Sequence, residues 1–185
     1  MERYLVKDLM VPISEYASVT VGTTLLEALL ALERAQDAYT VSKYQHRAIL
    51  VLDSAGSIVG KISQLRALKA IQPEFALSEE LEEMRRFKFS EKYLAGLRDM
   101  YQSRGQIIKK ETLLEAAGKK VEEFMQTPEP GEFVSEDSSL DVAINRLVAG
   151  AHMSLLVTRD ERIVGVLRIS DVFAALFHGM MAAAA

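Results

Sequence analysis

Six side chains in this 185-residue sequence have the types and spacing to do chemistry. They fall in two glycine-led stretches and one histidine pair. The stretches are Gly60-Lys61-Ile62-Ser63-Gln64-Leu65-Arg66 and Gly165-Val166-Leu167-Arg168-Ile169-Ser170-Asp171. Each places a polar group three and six residues after the glycine: Ser63 and Arg66 in one, Arg168 and Asp171 in the other. The planar guanidinium fork of Arg66 or Arg168 suits a phosphate or a carboxylate. Ser63 and Asp171 can bind a ligand through their oxygens, or serve as ordinary residues at the start of a helix. His46 and His152 each precede an apolar run. They read either as phosphate contacts or as surface histidines at a strand edge. Only His178 stands beside them and there is no cysteine, so no metal site is expected.

Other chemistry is excluded more firmly. Without cysteine there is no disulfide framework, thiolate zinc site, iron–sulfur cluster or thiol nucleophile. The stretch from Gly56 to Ser63 superficially resembles a phosphate-binding loop. Its glycines are one residue too close, and its context is a hairpin strand rather than a strand-to-helix turn. No nucleophile elbow and no paired-histidine zinc motif occurs, so no enzyme is expected. The 22 basic and 26 acidic residues give a net charge of −4, without the basic excess of a nucleic-acid binder. Apolar residues make up 49%, an ordinary globular fraction. No run reaches the ~18–20 apolar residues of a membrane span, and the mixed charges of the first eight residues do not read as a signal peptide. The expectation is a cytoplasmic protein with neither a nucleic-acid nor a membrane partner.

The elements that must position these residues come from an internal repeat. A shift of 115 residues superimposes Val6 on Val121, Met10 on Met125, Val19 on Val134, Leu25 on Leu140, Ala28 on Ala143 and Leu32 on Leu147. The first copy carries extra residues around 36–45. The register then recovers, with His46 on His152, Leu50-Val51 on Leu156-Val157 and Gly60 on Gly165. Each copy predicts β-α-β-β-α: short strands at 17–21 and 132–135, a helix led by Thr24 or Ser138, paired strands at 48–52/57–62 and 154–158/162–167, and closing helices from Gln64 and Ser170. Thr24-Leu25-Leu26-Glu27 is a capping box. The fold class is α/β (α+β), two copies packed as a pseudo-symmetric pair. The predicted division is 1–72, a helical insert at 73–118, 119–180, and an alanine tail at 181–185. A copy alone is near the size at which a core becomes marginal, so the two should pack on each other.

These residues resemble the cystathionine-β-synthase (CBS) domain family in its tandem-pair form. The resemblance rests on Lys7-Asp8-Leu9-Met10 ahead of the first strand, the Thr/Ser-led helices, the apolar strand ending in Asp53, and Gly60 or Gly165 in the returning strand. It covers both copies and leaves the insert aside. The resemblance implies a cleft between the halves that binds an adenine nucleotide, AMP, ADP or ATP, as a regulatory ligand and not as a cofactor. The family pattern is Gly, two residues, Ser/Thr, two residues, Asp/Asn. Its hydroxyl sits beside ribose and phosphate, and its carboxylate accepts from the ribose hydroxyls. This sequence splits the pattern: Ser63 is followed by Arg66, and Asp171 is preceded by Arg168. The resemblance therefore favours a nucleotide near Asp171, with Arg168 and His152 near its phosphates.

The insert predicts charged, amphipathic helices, one at 78–86, one carrying Tyr93, Leu94, Leu97, Met100 and Tyr101, and one capped at Thr112-Leu113-Leu114-Glu115. Pro73 ends the helix before it. Its apolar face either packs on the pair itself or serves a homodimer or an effector protein. Two functional expectations stand. One is a stand-alone nucleotide sensor signalling to an unidentified partner; the alternative is a ligand-free dimerisation scaffold.

Overall fold

The computed structural model describes residues 4–40, 45–71, 84–86, 90–103 and 109–184. After a single turn, α1 (Val6–Leu9), the first copy runs through β1 (Val11–Pro12), β2 (Ser18–Thr20), α2 (Leu25–Ala38), β3 (Ala48–Leu52), β4 (Ile58–Ser63) and α3 (Gln64–Ile71). From the insert come α4 (Glu91–Ser103) and α5 (Lys110–Gly118). The second copy gives β5 (Phe133–Ser135), α6 (Leu140–Ala149), β6 (Ser154–Arg159), β7 (Arg162–Arg168) and α7 (Ile169–Ala184).

Each copy builds its sheet around its apolar strand. In the first, β3 pairs parallel with β2 and antiparallel with β4. In the second, β6 pairs parallel with β5 and antiparallel with β7. Both central strands are buried through their middle residues, as a strand covered on both faces must be. Thr24 caps α2: its Oγ1 accepts from the Glu27 N–H, while the Glu27 carboxylate accepts from the Thr24 N–H at 2.8 Å.

The leading segments of the two copies are exchanged. Strand β1 joins the sheet of the second copy, with Val11 opposite Val166. Gln126, at the matched place in the repeat, bridges Lys61 on the outer edge of β4. The hydrogen bonds repeat with the same register. Val6 N–H donates to Ser138 O and Leu140 N–H to Tyr4 O; Val121 N–H donates to Thr23 O and Leu25 N–H to Lys119 O. Val6 is consequently buried in the second copy's core, whereas Val121 and Phe124 are buried in the first copy's. A third cluster, Val11, Tyr16, Leu50, Leu156 and Val166, joins the two sheets. Each half thus completes its core with side chains from the other.

This exchange accounts for the paired methionines and glycines of the repeat. A Cβ on Gly165 would lie 2.7 Å from Val11 O and 2.8 Å from Met10 Sδ, and one on Gly60 would overlap the Met125 side chain. Only a residue without Cβ lets the incoming segment lie flat on the strand.

Three expectations change. Helix α5 begins at Lys110, with Lys109 as an N-cap that makes no side-chain bond, so Thr112 lies inside the helix and caps nothing. Lys110 and Glu111 are good helix formers and extend it backward. The closing helix extends into the alanine tail: α7 continues to Ala184, as alanine's helix propensity favours. The insert divides. Ala116 of α5 is buried in the first core, whereas α4 buries Leu94 in a small separate cluster with Met84 and Leu97. Most of the expected helix at 78–86 lies outside the described residues.

Candidate functional site

The repeat places two matched groups of side chains where the copies meet, and the structure treats them differently. Around His46 the space is filled. Tyr16 follows the 3₁₀ turn Ile13–Glu15, Tyr39 ends α2, His46 leads into β3, and Arg168 is the last residue of β7. The Tyr16 and Tyr39 rings lie 4.7 and 4.5 Å from the His46 ring, centroid to centroid. Arg168 sends a fork to Asp171 in the first turn of α7, with Nε to Oδ2 at 2.5 Å and Nη2 to Oδ1 at 2.7 Å. Its guanidinium carbon lies 5.3 Å from the centre of the Tyr39 ring, and Nη1 lies 3.5 Å from His46 Nδ1. Arg168 is 4% exposed and His46 is fully buried.

The electrostatics follow from this packing. Burial, reinforced by the Arg168 charge, holds His46 below its usual range and so in the neutral form. Burial pushes the Tyr16 phenol up to about 12. Burial also opposes the charge on Arg168, but the hydrogen bonds and charge of Asp171 more than offset it and keep the guanidinium firmly protonated.

At the matched positions of the other half, Gly131 replaces Tyr16, His152 replaces His46, Ser63 replaces Arg168 and Arg66 replaces Asp171. Of these, Ser63, much shorter than Arg168, and His152 border open space. A cavity of about 600 Å³ lies between the copies, with Ser63, Lys61, Glu132, His152 and Arg168 on its walls. Glu132 is 1% exposed and pairs with Lys61; its other oxygen accepts from the Glu129 N–H at 3.0 Å. His152 Nδ1 lies 3.6 Å from the same carboxylate. Ser63 Oγ accepts the Arg66 N–H at 3.2 Å, which fixes the first turn of α3. That bond leaves the hydroxyl proton available to a ligand.

Of the six residues singled out from sequence, Ser63, His152 and Arg168 line the cavity; Arg66, Asp171 and His46 do not. Asp171 and Arg168, expected at ribose and phosphate, bond to each other in this structure, with both carboxylate oxygens engaged by the fork. A surface position for His46 is likewise corrected: Tyr16 and Tyr39 enclose it. The sequence reading passed over Lys61, seen only as part of a false phosphate loop, and Glu132, placed in a strand. A usable signal was present, since the repeat sets Glu132 against the small apolar Ala17, an abrupt change at a buried position. No group of three or more His, Asp and Glu residues suited to a metal occurs among the described residues. No described helix is long and apolar enough to cross a membrane.

Comparison with known proteins agrees with this architecture. The model of the CBS domain matches residues 6–73 and 121–178. No curated protein matches the sequence. Among solved structures, a CBS domain-containing protein of unknown function from Bacillus anthracis is 21% identical, with a TM-score of 0.61 over 95% of this chain and 94% of that one. CBSX2, the CBS-pair protein of Arabidopsis thaliana, in complex with AMP, is 19% identical, with a TM-score of 0.56 over 95% and 97%. The cytosolic domain of the Mg²⁺ channel MgtE in complex with ATP is 20% identical, with a TM-score of 0.52 over 90% of this chain and 46% of that one. The chain spans 59% of the length of MJ1004 of Methanocaldococcus jannaschii, at 21% identity, 94% coverage of this chain and a TM-score of 0.56. With both copies matched, the exchanged strands in place and the cleft between them, the chain belongs to the CBS domain family as a tandem pair.

Proposed function

We propose that this protein is a regulatory module that binds one adenine nucleotide in the open cavity between the repeats and transmits its occupancy to a partner protein. The carrying observation is the cavity itself: about 600 Å³, with walls from both copies and Ser63 at the hydroxyl position of the family pattern. That volume lies within the ~300–1,000 Å³ of small-molecule sites. The AMP and ATP complexes of the structural relatives support an adenine nucleotide as the ligand class. Ser63 and His152 are the proposed direct contacts. Lys61, held by Glu132, and Arg168, held by Asp171, form charged walls. Asp171 and His46 act through packing in the filled half.

Arg66 stands where a carboxylate would accept from ribose. A hydrogen bond to a charged group contributes about 1.5–3 kcal/mol, so this site is expected to bind roughly 10- to 100-fold more weakly than one with the complete pattern. The proposed location is the cytoplasm, where adenine nucleotides are abundant. Titration calorimetry with AMP, ADP and ATP tests the reading. One equivalent of heat is expected, weakened by His152→Ala and by Ser63→Val. No heat at millimolar nucleotide refutes it.

A second reading, a dimerisation scaffold, has its own observation. Leu65 and Leu68 on α3 and Phe173, Phe177 and Met180 on α7 are more than half exposed. Such apolar stripes mark association surfaces. Light scattering on Phe177→Glu should show a homodimer dissociating; a monomeric wild type refutes this reading.

A further inference from the structure

The filled half of the cleft shows why only one ligand is proposed. Arg168 occupies it with two kinds of contact. Its planar guanidinium lies over the face of Tyr39, 5.3 Å from the ring centre. Its Nε and Nη2 donate side by side to the two oxygens of Asp171, at 2.5 and 2.7 Å. A flat, π-bonded group on an aromatic ring, joined to two adjacent donors on a carboxylate, is also how a nucleoside would dock. The base would take the ring and the vicinal ribose hydroxyls would take the carboxylate. Tyr16, Tyr39 and His46 close around the guanidinium and leave His46 without solvent contact.

We infer that Arg168 is a built-in surrogate ligand: it occupies the half-site formed by Tyr39 and Asp171 and sets the nucleotide stoichiometry of the chain at one. The inference rests on the proposed nucleotide-binding role for its ligand class. Its physical basis is separate, because it rests on the contacts of Arg168 with Tyr39 and Asp171, neither of which lines the cavity beside Ser63. Two features favour release by a single substitution. Arg168 lines the open cavity, so a shorter side chain connects the filled half to that space. Asp171 would then face water.

The test uses the full chain with R168T, which restores the hydroxyl three residues before Asp171. R168Q, which keeps the stem but loses the fork, is measured in parallel in case R168T does not fold. Two readouts are taken. The His46 imidazole resonances report opening, and titration calorimetry with AMP reports stoichiometry. The expected result is solvent exchange at His46 and a rise from one equivalent to two, reversed to one by D171A in the same background. A wild type that binds nothing, with an R168T chain that binds one equivalent through Asp171, supports the surrogate role while refuting the open-cavity reading. One equivalent in the wild type and still one in the folded variants overturns the inference and leaves the cavity reading intact. No binding by any variant overturns both, as does a wild type that already binds two for the surrogate role.

Discussion

Replacing Asp171 with alanine separates a structural carboxylate from one held ready for a ligand. Its side chain is 12% exposed, and its partner Arg168 is 5% exposed at the side chain. Both carboxylate oxygens are engaged by the fork. Removing one member of such a buried pair leaves the other charge without compensation, at a cost of about 3–5 kcal/mol. The low end applies here, because Arg168 borders the cavity and its freed guanidinium can turn toward water. A loss of ~3 kcal/mol in a chain of this size lowers Tm by roughly 6–12 °C. Urea denaturation should show a lower midpoint with an unchanged slope. The double variant R168M/D171L replaces both charges with apolar groups of similar volume. It should recover most of the loss, since a buried pair contributes little net stability over a hydrophobic substitute. A carboxylate held open for ribose would behave differently: the ligand-free protein would keep its stability and only nucleotide affinity would fall. Stability of Asp171→Ala within about 0.5 kcal/mol of wild type would therefore refute the argument.

Gly165→Ala should cost about 1–3 kcal/mol, because its Cβ meets the backbone oxygen of Val11, whereas Gly60→Ala should cost less, since it meets only the flexible Met125 side chain; equal losses in thermal melts would count against the exchanged-strand explanation. Stability should fall as pH drops below about 6.5, by at most ~1.4 kcal/mol per pH unit, because His46 protonates in the unfolded chain before it does in the folded one. The groups facing that imidazole are Arg168, which opposes its charging, Asp171, which favours it, the rings of Tyr16 and Tyr39, and the backbone of Glu15, so His46→Gln should flatten the slope between pH 6.5 and 5 in urea melts.

Much of the fold is legible in the sequence, because its governing signals are local or repeated. The Leu25, Ala28 and Leu32 spacing marks the buried face of α2, and its match to Leu140, Ala143 and Leu147 marks α6. The Thr24 box fixes where α2 begins. The exchange of leading segments is not legible in this way. Val6 and Val121 read as core residues from their pattern, but an apolar residue does not specify which of two similar cores receives it. The backbone bonds from Val6 to Ser138 and from Val121 to Thr23 make that choice, and they are long-range. The helix start at Lys110 is not legible, because a capping-box pattern is only a preference and the residues before it can prolong the helix.

The site was half legible for a related reason. The repeat identified His46 and His152 as equivalents, and the two broken glycine-led stretches identified Ser63, Arg66, Arg168 and Asp171. Pattern alone leaves each residue a choice between a ligand contact and a structural role. The structure adds that residues can satisfy one another. Arg168 stands three residues before Asp171, at the junction of β7 and α7, which brings its fork onto the carboxylate. Among the described residues Arg66 has no paired carboxylate, and Ser63 is too short to fill the space before it. The decisive differences are at positions that no motif includes: Tyr16 against Gly131, and Tyr39 in the extra residues that the first copy alone carries. Three aromatic rings close one half-cleft where the other has a glycine and a single histidine. The two half-clefts therefore differ in how far they are filled. One is a packed internal contact between the copies. The other leaves the open space in which the proposed nucleotide would touch side chains of both copies.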